Sequence, residues 1–215
     1  MKHTLLTILL VIGLLGSLGL LVSRLNGYHL PGNQQGYAPV QPIAFSHRSH
    51  AGDLQIACLY CHNGADKSTH AGFPAASTCM NCHRFVTTSS EAAFAEAQQA
   101  SQIGRAQRRV ISPELQKLYE ALGLDDQLQP DPRKTPRPIS WVQVHNLPAF
   151  TRFDHRAHVN KGVECTTCHG PVETMDRVQQ RADLSMGWCV DCHRERVEAA
   201  HRSSSTATDC ATCHY

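Results

Sequence analysis

Five copies of one short cysteine–histidine pattern dominate this sequence. Each copy reads Cys-x-x-Cys-His, and the copies end at His62, His83, His169, His193 and His214. Two thiols at this spacing can form thioethers with a porphyrin while the adjacent imidazole reaches the iron, which is the attachment pattern of haem c. The pattern therefore predicts five covalently attached haem c groups, each with a proximal histidine. The ten attachment residues are Cys58, Cys61, Cys79, Cys82, Cys165, Cys168, Cys189, Cys192, Cys210 and Cys213.

Zinc binding and dithiol redox chemistry explain these cysteines less well. Two Cys-x-x-Cys pairs normally share one structural zinc, so an odd number of pairs would leave one pair without a partner. A redox-active dithiol sits in a βαβ context, which this sequence lacks. The five motifs use every cysteine of the chain. No catalytic residue is expected.

A second pattern indicates where the sixth iron ligands come from. The sequence Phe-x-His-Arg-x-His occurs at 45–50 and again at 153–158, each time followed by two haem motifs. Each haem has one free axial position, so two histidines three residues apart must serve two different haems. Residues at that spacing on a helix lie within about 5–6 Å of each other. The repeat predicts two dihaem modules, with these distal ligands: His47, His50, His155 and His158.

Other residues compete for the remaining axial positions. His70 lies between the first two motifs and His145 precedes the second repeat, and both are candidate distal ligands. His29 and His201 are expected to be exposed rather than bound to iron. Methionine is the alternative axial ligand and raises the potential of its haem. The methionine candidates are Met175 and Met186.

The motifs divide the chain into an anchor and two haem-bearing modules. The residues from Thr4 to Ser23 carry no charge, and about 20 helical residues span roughly 30 Å, the hydrocarbon thickness of a bilayer. This run is long and lacks a small-residue cleavage site, which favours a retained anchor over a signal peptide. We expect a transmembrane anchor at 1–24, a periplasmic tether at 25–44, a first dihaem module at 45–84, a haem-free helical insert with a proline-rich strap at 85–144, and a second dihaem module plus the fifth haem at 145–215.

The insert is expected to contain most of the regular structure outside the anchor. Residues 90–99 read as a helix with a serine cap and an early glutamate, and residues 113–122 read as a second short helix with proline near its start. Residues 131–138 contain too much proline for a helix and predict an extended basic strap. Residues 141–145 alternate weakly and predict a short strand.

The composition points to a core made largely of cofactor. Only 13 of the 215 residues are Phe, Trp or Tyr, which is little material for a conventional core. The expected fold is mainly α with little regular structure: one N-terminal transmembrane helix and a multihaem cytochrome c domain of short helices and long loops wrapped around five haems. The formal charge of +2 becomes about −3 once five ferric haems with ionised propionates are added, which argues against a nucleic-acid partner.

The stretch from Pro42 to Arg194 resembles a known family. The similar segments are 43–52, 68–72, 77–83, 141–148, 153–159 and 186–189, of which Trp-Val-Gln-Val-His-Asn-Leu-Pro at 141–148 is the most specific. They resemble the pentahaem c-type cytochrome subunit of alternative complex III, within the multihaem class III-like cytochromes c. His70 and His145 fall in these segments, so the resemblance supports both as ligands.

The resemblance implies a place in a respiratory or photosynthetic membrane complex. In that family one N-terminal helix holds the cytochrome beside an iron–sulfur subunit related to molybdopterin enzymes and beside polytopic quinol-binding subunits. The implied role is electron relay, without substrate chemistry of its own, from a quinol to a small c-type cytochrome or a terminal oxidase. The implied location is the bacterial inner membrane, with the haem domain on the periplasmic side.

Two other functions fit the haem motifs less well. A stand-alone membrane quinol dehydrogenase of the NapC/NrfH type, which feeds a periplasmic reductase, is also anchored by one helix but usually carries four haems. A multihaem nitrite reductase often replaces the histidine of one motif by lysine, whereas all five motifs here end in histidine. The quinol dehydrogenase is therefore the alternative that we retain.

Overall fold

A computed structural model describes residues 2–25, 33–199 and 208–214 of the chain. The expectations for His29 and His201 lie outside these described residues. Within them the fold is mainly helical with long irregular connections and without a β-strand. Pairing of the β type is limited there to two isolated bridges, Leu124 with Pro130 and Thr151 with His214. The expectation of a mainly α fold with little regular structure is confirmed.

The helices are short, apart from the first. Helix α1 is followed by a π-helical turn at Arg48–Asp53, and a 3₁₀ turn at Val172–Thr174 lies between α7 and α8. The bounds are α1 Lys2–Leu25, α2 Cys58–Cys61, α3 Ala76–His83, α4 Ser90–Gln102, α5 Pro113–Ala121, α6 His155–Val159, α7 Cys165–His169, α8 Met186–Ala199 and α9 Cys210–Cys213.

Helix α1 contains one stretch that could cross a membrane. The 20 residues His3–Val22 have a mean hydropathy of 2.7, and none of the stretch is buried in the protein. Leaving such a surface in water costs free energy in proportion to its apolar area. The length and composition are those of a membrane anchor, and a signal sequence shares them.

The two helices of the insert form where the sequence predicts them. Helix α4 is capped by Ser89, whose hydroxyl accepts a hydrogen bond from the Ala92 N–H at 3.3 Å. Helix α5 is capped in the same way by Ser112, which accepts from the Leu115 N–H at 3.3 Å. Such caps satisfy backbone donors that have no partner within the helix.

The conventional core of the described residues is small and lies almost entirely in the insert. Its buried apolar residues are Ala65, Ala100, Leu118, Tyr119 and Val144, of which only Ala65 lies outside the expected insert. The Tyr119 hydroxyl donates to the His83 carbonyl at 2.6 Å, which joins the insert to the second haem motif. Within the described residues, the segments expected to form the two modules therefore have no hydrophobic core made of their own side chains.

Two predictions for the rest of the insert need correction. The prediction of a short strand at 141–145 is wrong. The Gln41 side chain forms hydrogen bonds of 2.9 Å with both the N–H and the carbonyl of Val142, which are the backbone groups that a neighbouring strand would otherwise bond. The strap at 131–138 is not helical, as predicted, but residues 132–134 form a turn rather than an extended segment. The Asp131 carboxylate holds that turn by accepting from the Arg133 N–H at 2.9 Å and from its guanidinium.

Candidate haem sites

Each attachment motif lies in a single helical turn. In α2 the residues Cys58 and Cys61 begin and end the turn, and His62 follows at its C-terminal cap. Helical residues three positions apart share one face, so both thiols of a motif are presented to the same side. Helix α9 has the same arrangement, whereas in α3, α7 and α8 the histidine of the motif lies within the helix.

Motifs that are distant in sequence bring their thiols together. The pKa of the Cys165 thiol is raised by partial burial and then by the thiol of Cys58. Burial and the neighbouring thiols also raise the pKa of Cys168, the first of these neighbours being Cys192. In the polypeptide without cofactor these thiols are therefore protonated at neutral pH.

Two pairs of imidazoles face each other at the same separation in the two modules. The ring centres of His50 and His83 are 6.0 Å apart, and those of His158 and His193 are also 6.0 Å apart. An iron bonded at about 2 Å to one nitrogen of each ring would hold the two ring centres roughly 6 Å apart. The separation fits an axial pair on one iron.

The far nitrogen of these rings is held by the backbone. The Nδ1 atoms of His50 and His158 lie 2.8 Å from the carbonyls of Ser46 and Asp154, each four residues earlier. A carbonyl only accepts, so Nδ1 carries the hydrogen and Nε2 keeps its lone pair for a metal. His83 is oriented in the same way, since its Nδ1 donates to the Val86 carbonyl at 2.8 Å.

The first histidine of each repeat lies beside the first motif of its module. The rings of His155 and His169 are nearly parallel, at 9°, with centres 6.3 Å apart, and the Nδ1 of His155 donates to the Thr69 carbonyl at 2.9 Å. Burial, followed by the neighbouring His62 and His50, lowers the pKa of His47 to about 4. Such an imidazole is neutral at pH 7 and able to bind a metal.

Two buried imidazole nitrogens have no hydrogen-bond partner among the described residues. They are Nδ1 of His47 and Nε2 of His145. A buried polar atom without a partner costs free energy, and coordination to iron would remove that cost. The ring of His145 meets that of His169 edge-on at 4.3 Å, which is too close for an iron between these two rings.

The other proposed ligands have less support from their surroundings. His70 is exposed and makes no ring contact with another histidine in the described part of the chain. Met186 is 67% exposed at the start of α8. The fifth motif is seated against Phe150, whose ring stacks on His214 at 5.7 Å.

Sequence reasoning overlooked the phenylalanine of the repeat as a positioning residue. Phe45 stacks on His50 at 4.3 Å and meets His47 edge-on at 4.9 Å. Phe153 does the same in the second module, stacking on His158 at 4.6 Å and meeting His155 at 4.8 Å. The signal was visible, because this residue recurs two positions before the first histidine in both repeats.

Paired thiols with adjacent imidazoles, opposing imidazoles and the absence of a core in the described modules fit haem c. The class of protein so defined is a multihaem c-type cytochrome. Residues 151–215, which hold the last three motifs, match the family of cytochrome c7 and related cytochrome c, and they form a cytochrome c7-like domain. Proteins of this class transfer electrons and are not enzymes by themselves.

One curated relative matches most of the chain. It is the multihaem cytochrome c subunit of menaquinone reductase from Nitratidesulfovibrio vulgaris strain Hildenborough, which is 24% identical over 194 residues, covering 81% of this chain and 76% of that protein. The similarity extends beyond the cytochrome c7-like domain. It is consistent with electron transfer that involves a quinone pool.

Proposed function

We propose that this protein is a membrane-anchored pentahaem c-type cytochrome that relays electrons between a quinone-reactive membrane complex and a periplasmic redox protein. The main support is the repeated pair of imidazoles at 6.0 Å, present in both modules. Two axial histidines fill both open positions of an iron, which favours electron transfer over the binding of a substrate. Helix α1 is proposed to anchor the haem domain to the bacterial inner membrane, with the haems on the periplasmic side.

The proposed axial pairs follow the geometry of the two modules. His50 with His83 and His158 with His193 have the separation and the Nδ1 anchors expected of axial ligands. His155 with His169 is supported by the parallel rings at 6.3 Å. By the symmetry of the repeat we assign His47 to the haem of His62. These four pairs leave one distal position open, on the haem of His214, and His70 and His145 are the two candidates for it.

The surroundings of the ligands suit a redox role. Backbone carbonyls hold Nδ1 of His50, His83, His155 and His158, which fixes these rings and keeps each imidazole basic toward the metal. When bound, haem c supplies a one-electron Fe(III)/Fe(II) couple at each site. The protein's own contribution is to orient the rings, to exclude water through Phe45 and Phe153, and to keep neighbouring sites at fixed separations.

The proposed partners are those of alternative complex III. They are an iron–sulfur subunit related to molybdopterin enzymes, polytopic quinol-binding subunits, and a small c-type cytochrome or a terminal oxidase as acceptor. The relative supports a multisubunit quinone-linked setting, because it is itself a subunit of a menaquinone reductase. A stand-alone quinol dehydrogenase is the alternative without such partners.

The name of the relative also favours a second candidate, in which the electrons flow the opposite way. In a menaquinone reductase the quinone receives electrons, whereas in alternative complex III a quinol gives them up. A row of bis-histidine haems conducts in either direction, and the direction is set by the potentials of donor and acceptor. The second candidate function is therefore delivery of periplasmic electrons toward a membrane quinone.

The test begins with the protein in native membranes solubilised in mild detergent. We expect co-migration with a large iron–sulfur subunit and with polytopic membrane subunits, and haem reduction by a menaquinol analogue that an inhibitor of the quinone site blocks. Haem reduction from the periplasmic side followed by quinone reduction would establish the second candidate. Migration alone, with quinol oxidation retained by the single subunit, would establish the stand-alone dehydrogenase and reject both complexes.

A further inference from the structure

The two modules exchange contacts in a reciprocal way that their sequence repeat does not reveal. The backbone N–H of Arg48, in the first repeat, donates to the Met175 carbonyl at 3.0 Å. The N–H of Arg156, in the second repeat, donates to the Ser68 carbonyl at 3.3 Å. Met175 is the sixth residue after His169, and Ser68 is the sixth residue after His62. In each module, the segment that carries the histidine pair is therefore hydrogen-bonded to the loop that follows the first motif of the other module.

We call these two reciprocal contacts the crossover. Further contacts strengthen both halves of it. On one side the Arg48 guanidinium donates to the Thr174 carbonyl at 3.2 Å and pairs with Asp176 at 3.0 Å. On the other side the Asn160 side chain donates to the Asp66 carbonyl at 3.0 Å. The two sides of the crossover are therefore related by an approximate two-fold axis between the modules.

Gly52 permits the closest approach at the crossover. A Cβ atom at this position would lie 2.3 Å from the carbonyl oxygen of Glu173. The clash would be with backbone, which cannot rotate away as a side chain can. Glycine is therefore required here for steric reasons, and Gly52 is a positioning residue for the first and third haem sites.

The remaining links between motifs are also visible as contacts. The Asn81 side chain in the second motif donates to the Tyr60 hydroxyl in the first at 2.8 Å. The third and fourth motifs share helix α6, which presents one histidine to each. The fifth motif is bonded to the residue just before the second repeat, because the Arg152 N–H donates to the Cys213 carbonyl at 2.8 Å. Successive contacts thus run from the second motif to the first, and from the first across the modules to the third.

We infer that the five haem attachment sites form one unbranched row in the order second, first, third, fourth, fifth, and that the crossover closes this row at its centre. The inference rests on the proposed function. The row differs from the order along the sequence, because the first motif occupies an inner position. Its ends are the second motif, beside the insert, and the fifth motif. Electrons enter at one of these ends and leave at the other.

The direct test locates the five irons in the holoprotein by anomalous scattering at the iron edge, each iron being assigned through its thioether bonds. We expect the irons of the first and third motifs to be nearest neighbours across the modules and those of the second and fifth motifs to lie farthest apart. Another order among five irons would overturn the inference and leave the proposed function intact. Fewer than five covalently bound haems would instead contradict the proposed function.

A variant tests the crossover itself. In Gly52→Ala we expect the two haems of the first module to exchange electrons with the other three much more slowly after flash photoreduction, with the Soret circular dichroism altered. Gly187→Ala is the matched control, because among the described residues a Cβ there meets only the Ser185 hydroxyl, at 3.8 Å. If Gly52→Ala fails to assemble, Arg48→Ala removes crossover bonds without adding bulk. Unchanged exchange in a folded crossover variant would overturn the role of the crossover.

Discussion

The insert at 85–144 and the two proposed haem modules on either side of it are stabilised in different ways. The insert has buried Leu118 and Tyr119, capped helices, and a bidentate pairing of Arg105 with Glu96, in which Nη2 and Oε2 are 2.8 Å apart. The modules have many histidines and cysteines but only one buried apolar residue, Ala65, among those described. The insert is held by ordinary side-chain packing, whereas the described segments of the modules are joined mainly by hydrogen bonds between loops.

This contrast shows why so short a chain can hold so many redox sites. A porphyrin is a large apolar disc, and covalent thioethers make it part of the polypeptide. Burial of apolar surface stabilises a protein by about 25 cal/mol per Å² regardless of whether the surface belongs to a side chain or a cofactor. The modules can therefore consist largely of ligand residues and loops, whereas the insert needs the apolar side chains of a conventional core.

Removal of the haems is expected to separate the two regions most clearly. In a variant with all ten motif cysteines replaced by alanine, we expect the modules to lose their cooperative thermal transition, because their own core is too small to offset the conformational entropy of folding. Circular dichroism and amide hydrogen exchange would measure this loss. Protection of module amides in that variant, with a cooperative transition, would show that the modules do not depend on haem.

Removal of one distal histidine should affect one module and spare the insert. In His158→Ala we expect one haem in five to become high-spin in the ferric electron paramagnetic resonance spectrum, because the opposing ligand of His193 is lost. His3→Ala, on helix α1, is the matched control and should remain entirely low-spin. The same measurement on His70→Ala decides whether that exposed histidine is a ligand. A fully low-spin His158→Ala protein would contradict the axial pair.

Cavity formation should affect the insert and spare the haems. Leu118 is only 3% exposed, so Leu118→Ala is expected to destabilise the insert by about 2–5 kcal/mol. Hydrogen exchange of the α4 and α5 amides would report the loss, while haem content and the Soret spectrum should stay unchanged. Phe94→Ala is the surface control, since Phe94 is 65% exposed. Equal losses in the two variants would mean that the insert has no specific core.

A weaker effect is expected on the stability of the insert at acidic pH. The Arg105 guanidinium, followed by the Arg108 N–H, lowers the pKa of Glu96 from 4.5 to about 2. Because the folded pKa is depressed, this contribution is present above about pH 4.5 and is lost as the pH falls toward 2. Glu96→Gln should flatten part of the pH dependence of α4 protection in hydrogen exchange, and Glu195→Gln on α8 should not. An identical pH profile in wild type and Glu96→Gln would refute this role.

The sequence was most informative where structure is dictated locally. The helices at 90–102 and 113–121 follow from serine caps and helix-forming residues, and the motif turns follow from the fixed spacing of cysteine and histidine. The strand at 141–145 was predicted wrongly, because the partner of Val142 is the Gln41 side chain, about a hundred residues away in the chain. No local sequence pattern predicts a hydrogen-bond partner that is so distant in the chain.

The chemistry of this protein can be read from its amino-acid sequence: ten cysteines in five motifs, two repeated histidine pairs and one apolar segment long enough for a bilayer. Covalent attachment requires a fixed local spacing, so those features are legible without a fold. The fold is needed to know which imidazoles oppose each other at 6.0 Å and how the two modules cross at Gly52. The partners of each imidazole pair are more than thirty residues apart in the chain, and Gly52 and Glu173 are more than a hundred apart, so their geometry is set by packing rather than by sequence spacing.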